Sequence, residues 1–129
     1  MPLWLAVGIG GFVGAIARYQ ISESLSQWCV EKFGRAYPLG TFVVNVLGCL
    51  LIGLLMTLAI EKRFSEQTQK LLITGGLGSL TTFSTFGMDA VNLFREGKVG
   101  LAIGYTAANL VIGLIGVVAG IGLGRMLLK

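Results

Sequence analysis

Thr41 and Asn45 stand four residues apart inside a long apolar stretch, and Tyr105 and Asn109 repeat that spacing in another. Residues four apart share a helix face. Each pair therefore makes a polar strip, continued in the first case by Gly48 and Cys49 and joined in the second by Thr106. Between the two stretches lies GGLGSLTTFSTFG, Gly75 to Gly87, where Phe83 and Phe86 are three apart on one face and Ser84 and Thr85 present hydroxyls beside them. Aromatic rings have a positive edge, and Asn amides and hydroxyls are uncharged donors. Gathered where water is excluded, such groups suit a small anion. The plainer reading is that the rings pack and the polar groups bond neighbouring helices, an interaction worth about 0.6 kcal/mol on average. Two polar faces together with a hydroxyl cluster on a third segment favour a conduit.

The same segment carries a second chemistry. Gly75, Gly76 and Gly78 weaken a helix and Thr81 and Thr82 propagate one poorly, so a break is expected around Gly78 to Thr81. Carbonyls freed at membrane depth must meet protein, water or an ion, and broken helices of transporters bind cations with such carbonyls. A buried cation site is therefore expected at the break. Arg18 is the one charge well inside an apolar stretch. Lying roughly 22 Å along a helix from Leu3, it is expected to snorkel to the far face of a core about 30 Å thick and to concentrate anions at a mouth. Asp89 is read as interfacial as well.

These groups need a scaffold, and composition indicates which. The chain is 54% hydrophobic and 12% charged, with 20 glycines in 129 residues, too few charges to coat a soluble surface. Apolar stretches at about 3–21, 40–60, 71–94 and 99–128 each approach or exceed the roughly 20 residues that a crossing helix needs. The expected architecture is an all-α membrane protein, a single domain over 1–129 with four transmembrane helices and a break in the third. The first stretch is read as a retained span, because no Lys or Arg precedes it as in a signal peptide. Gly10 with Gly14, and Gly116 with Gly120 and Gly124, carry the GxxxG spacing that lets helix backbones approach.

Charge placement bears on assembly. Lys62, Arg63, Lys70, Arg125 and Lys129 fall on the side of the termini, and Arg18, Lys32, Arg35, Arg95 and Lys98 on the other. That balance removes the positive-inside signal. Such a chain can insert both ways up and pair as an antiparallel, dual-topology homodimer; one fixed orientation set by other features is the alternative. A net charge of +4 without a basic run argues against a nucleic-acid partner and for membrane lipid. The chain has no histidine, and Cys29 and Cys49 are isolated, which removes the usual zinc, haem and redox constellations and leaves no catalytic residue to assign. GIGGFVG, Gly8 to Gly14, follows no strand and so is not a dinucleotide loop.

GTFVVNVLGCLLIG, GLGSLTTFSTF, GAIAR and GYTAAN, spread over all four stretches, together resemble the Fluc (CrcB) family of bacterial fluoride channels. TTFSTF after a glycine-rich segment is the most specific part of the match. The resemblance implies a fluoride-selective ion channel of the bacterial cytoplasmic (inner) membrane, not an enzyme. It further implies passive fluoride export driven by the membrane potential, two pores in an antiparallel homodimer, and a structural sodium ion at the interface. Residue by residue it implies that Asn45, Phe83, Phe86, Ser84, Thr85, Tyr105, Thr41 and Asn109 line the fluoride pore. Arg18 would sit at the vestibule, and the carbonyls of Gly78 and Thr81 from both copies would hold the sodium. Asn109 and Asp89 stand where some relatives have serine and glutamate.

Two other classes compete. A four-span proton-coupled multidrug exporter uses a membrane-embedded glutamate, and no Glu or Asp lies mid-span here. A structural subunit of a larger membrane complex would use the polar faces only as packing contacts.

Overall fold

All four apolar stretches fold as helix and no strand forms; the computed structural model describes the whole chain, Met1–Lys129. Helices α1 (Leu3–Phe33), α2 (Leu39–Ile60) and α6 (Val99–Leu127) are continuous, and these three are long and apolar enough to cross a membrane. At about 1.5 Å per residue, the 22 residues of α2 span roughly 33 Å, close to the thickness of a hydrocarbon core. The remaining stretch is assembled from pieces: α3 (Glu66–Gln69), a π-helical segment (Lys70–Leu77), a turn α4 (Gly78–Leu80) and, after a break, α5 (Phe83–Arg95).

The helices outrun the apolar stretches that announce them. The first stretch ends near residue 21, yet α1 continues to Phe33 through residues read as a connection. Hydropathy marks the length that suits lipid, whereas helix continues wherever one face stays covered. Ile21, Ser22, Leu25, Ser26 and Cys29 turn inward at helical spacing while Glu23, Ser24 and Gln27 face out. Gly34 then ends the helix in a left-handed conformation, φ 72°, donating to Val30 O at 2.8 Å. Likewise the third helical stretch starts at Glu66 rather than near 71, because Ser65 caps it by accepting from Thr68 N at 3.2 Å.

The break falls at the late end of the expected stretch. Gly78 is helical, with φ −60° and ψ −31°. The chain leaves the helix at Thr81 (φ −83°, ψ 157°) and Thr82 (φ −151°, ψ 122°). The glycines before it do a different job. A Cβ on Gly10 would overlap the Leu71 carbonyl, one on Gly14 the Gly76 carbonyl, and one on Gly75 the Val7 carbonyl. Thus α1 and the π-helical segment meet backbone to backbone. A second seam joins α2 and α6, where Gly53 meets the Val117 carbonyl and Gly120 the Leu50 carbonyl. Both GxxxG patterns therefore mark real helix contacts.

The two ends of the bundle can be told apart. Gln67 Nε2 donates to Met1 O at 2.8 Å, and Glu61 and Arg125 line one cleft, so both termini and the loop after α2 share an end. Tyr37, Glu96 and Lys98 line a cavity at the other. There Trp28, Phe33 and Tyr37 stack edge to face, with centroids 5.7 and 5.9 Å apart, an aromatic cluster of the kind that settles at headgroup level. Cys29 and Cys49 are both free.

The close seam yields a stability prediction. Gly10→Ala should lower unfolding stability by about 1–3 kcal/mol, the cost of overpacking. Gly8→Ala, whose added methyl meets nothing within 4 Å, should change it by less than about 0.5 kcal/mol. Thermal or SDS titration of the purified protein reads both, and equal effects would refute the seam.

Candidate functional site

Three helices converge on the two threonines of the break. Thr81 N and Thr81 Oγ1 both donate to Leu77 O at 3.1 Å, so the helix holds up to that residue. Thr82 N then turns away from Gly78 O, its helical partner, and donates to Asn45 Oδ1 at 2.9 Å. Asn45 Nδ2 donates back to Thr82 O at 3.1 Å and onward to Asn109 Oδ1 at 3.3 Å. The Thr82 hydroxyl starts α5 by accepting from Thr85 N at 3.2 Å, and it donates to Thr85 Oγ1 at 3.1 Å. From α1, Arg18 Nη1 donates to Thr81 O at 3.3 Å. Gly48 on α2 leaves the space that the Thr81 methyl fills. Where the ladder is interrupted, the carbonyls of Gly78, Ser79 and Leu80 accept no amide from α5.

Beside the break lies an open cavity of about 520 Å³ whose wall includes Asn45, Gly78, Thr81, Phe83, Phe86 and Asn109. No Lys, Arg, Asp or Glu belongs to that wall. The Phe83 and Phe86 rings are 5.5 Å apart, and Phe86 continues to the Tyr105 ring at 5.7 Å. Phe86 and Tyr105 are buried, while Phe83 is 79% exposed and stands out from the chain. Nearer the α5–α6 turn is a polar cavity of about 300 Å³ lined by Ser22, Thr41, Asp89, Glu96 and Lys98 among others. Tyr105 joins the two regions: its ring meets Phe86, and its hydroxyl donates to Asp89 Oδ2 at 3.1 Å. At the outer edge Lys98 pairs with Glu96, and its hydrogen bond and charge hold the Glu96 carboxyl below the usual carboxylate range.

Residues 5–121 match the profile of the family described as CrcB-like protein, Camphor Resistance (CrcB). The chain belongs to the CrcB family. Among curated CrcB relatives, the fluoride-specific ion channel FluC of Chloroflexus aurantiacus is 47% identical over 122 residues, 94% of each chain. The proteins of the same name from Agrobacterium fabrum and Clostridium novyi are 41% identical over 122 residues and 40% over 125, covering 94% and 96% of this chain and 94% of each relative.

In this CrcB chain the fold brings Asn45, Phe83, Phe86 and Asn109 onto one cavity wall with Gly78 and Thr81. Thr41 lies on the second cavity and Tyr105 between the two. Ser84 and Thr85 are exposed next to Phe83 and lie on neither wall. Two expected interfacial groups turn out to have partners inside the bundle. Arg18 on α1 turns its guanidinium inward to Thr81 O. Asp89 accepts the Tyr105 hydroxyl.

Two contributors escaped the sequence reading. Thr82, noted there only as a weak helix former, is the hub of the break. A Thr placed just before a new helix was the available cap signal. Ser79 Oγ lies 2.9 Å from Gly11 O and 2.8 Å from Gly75 O, tying α4 to α1; nothing in its spacing marks it.

The cap can be tested directly. Thr82→Ala should lower stability by about 1 kcal/mol, as loss of a helix cap does, and Thr82→Ser should restore most of it. Unfolding of the three proteins side by side decides; an Ala variant as stable as the parent would remove Thr82 as the start of α5.

Proposed function

We propose that this chain is a fluoride-selective channel that lets fluoride leave the bacterial cytoplasm passively through the inner membrane, working as an antiparallel, dual-topology homodimer with two pores. The observation that carries the reading is the wall of the 520 Å³ cavity, where Phe83, Phe86, Asn45 and Asn109 gather at a helix break without a single Lys, Arg, Asp or Glu. Fluoride is small and strongly hydrated. A pore must replace its water with enough donors to admit the ion and with none strong enough to trap it. Ring edges and hydroxyls in series meet that condition, and a fixed ammonium or guanidinium in the wall would not. Thr41, Tyr105, Ser84 and Thr85 extend the row of neutral groups on either side of the two phenylalanines. The curated relatives named fluoride-specific ion channel support the choice of halide.

The need for a second copy follows from solvation. The break sits near the middle of its stretch, with Glu66 to Leu80 on one side and Phe83 to Arg95 on the other. Lipid satisfies no peptide group at that depth. Phe83, Ser84 and Thr85 are exposed on the single chain at that level, and an antiparallel partner would cover them. With five Lys and Arg at the end that holds the termini, four at the other and Arg18 between them, neither orientation is favoured.

A sodium ion held between the copies is part of this proposal. The Gly78 carbonyl, left without its helical amide, is the kind of group that takes a bare cation. The Thr81 carbonyl would be the second ligand, using the lone pair that Arg18 leaves free. The ion would add fixed positive charge and tie the two breaks together. A proton-coupled exporter fits less well, since the one carboxylate near the rings, Asp89, already accepts the Tyr105 hydroxyl.

Purified protein in proteoliposomes loaded with potassium fluoride should release fluoride on addition of valinomycin, read by a fluoride electrode, and should release no chloride from matched vesicles. Comparable chloride release would end the selective-channel reading. Phe83→Ile and Phe86→Ile should each slow fluoride release by an order of magnitude or more while the dimer persists, since an alkyl group offers no positive ring edge. Unchanged flux would reduce the rings to packing.

A further inference from the structure

Asn45 was singled out as a pore donor, yet its hydrogen bonds are committed elsewhere. Its Oδ1 accepts Thr82 N at 2.9 Å, and its Nδ2 donates to Thr82 O at 3.1 Å and to Asn109 Oδ1 at 3.3 Å. A primary amide has two hydrogens, and both have partners here. The orientation of the group is settled by chemistry: Thr82 N is a donor, so the atom facing it must be the oxygen. The Asn45 amide thus pairs with the Thr82 peptide on both of its sides, as one strand pairs with another in a sheet ladder.

We infer that Asn45 is a positioning residue: it templates the helix break by replacing the two peptide partners that Thr82 loses, and it gives no hydrogen bond to the permeating anion. Without it, Thr82 N–H could be satisfied by Gly78 O, four residues before it, and the chain would tend to close into continuous helix. Closure would swing Phe83 and Phe86 about the helix axis and withdraw the Gly78 carbonyl. Arg18 assists from the other side by holding Thr81 O. Conduction depends on Asn45 through this geometry, a deepening of the channel reading that rests on it. Donation to the anion then falls to the ring edges of Phe83 and Phe86 and to hydroxyls such as Thr85 Oγ1, which accepts from Thr82 and keeps its own proton for another partner.

Isotope labelling separates a clamp from a ligand. The chain has three asparagines, Asn45, Asn92 and Asn109, so a ¹⁵N-Asn sample gives three side-chain amide pairs that single substitutions assign. Titrating the intact protein in lipid nanodiscs with potassium fluoride, against potassium chloride at equal ionic strength, should leave the Asn45 pair unmoved. A saturable fluoride-specific shift of that pair would overturn the proposal, and this arm needs no variant that might fail to fold. In ¹⁵N-Thr protein, Thr82 N–H should exchange slowly with deuterium, and Asn45→Ala should speed that exchange about tenfold or more by removing its partner. Asn45→Asp keeps an oxygen facing Thr82 N and should retain most of the protection. Equal exchange in parent and Ala variant would also overturn the clamp. Vesicle flux on the same parent preparation is independent: loss of fluoride release there defeats the channel reading, while the exchange result alone judges the clamp.

Discussion

A peptide group without a partner costs several kcal/mol in hydrocarbon, and this fold is organised around one place where that cost would fall. The third helical stretch stops at Thr81 and Thr82, and the N–H and C=O of Thr82 and the Thr81 carbonyl are answered by side chains from two other helices. Asn45 of α2 pairs with both the N–H and the C=O of Thr82, Arg18 of α1 takes the Thr81 carbonyl, and Asn109 of α6 steadies Asn45. Remove that network and the interruption has no reason to persist in a bilayer.

Close helix approach makes the network reachable. Arg18 meets Thr81 only because Gly10, Gly14 and Gly75 let α1 lie against the π-helical segment backbone to backbone. Asn45 and Asn109 come within 3.3 Å because glycines along α2 and α6 bring those helices together. Gly48 opens the pocket for the Thr81 methyl. The π-helical turns from Lys70 to Leu77 rotate the stretch before the break, a wider winding of the sort found near functional sites. Glycine abundance in this chain therefore serves contact and aim more than flexibility.

The division of labour among polar groups also follows. The Asn45 amide is fully engaged in holding the backbone and the Arg18 guanidinium is turned toward it, so that under the proposed channel function weak donors are left for a passing anion. That arrangement suits rapid passage, because a permeating ion that met a free amide and a free guanidinium in the narrow region would be held there. Tyr105 shows the same economy: its hydroxyl is given to Asp89 and its ring is stacked on Phe86.

Residue type and spacing alone pointed to the all-helical class, the four apolar stretches, the two GxxxG seams, the strip of Thr41 with Asn45 and the aromatic pair; the family came from the resemblance of whole motifs, borne out by the relatives. The former features are local or periodic, and periodicity is visible in a string of letters. Tertiary structure decided the rest. Gly78 is a weak helix former and still helical; Thr82 breaks because Asn45, 37 positions away, offers it better partners than the helix does. Spacing placed Arg18 late in the first apolar stretch, and only the contact with Thr81, 63 positions away, revealed which backbone group the guanidinium meets. Which donor is free and which is spent depends on pairs of atoms far apart in the chain, and no spacing rule contains that information.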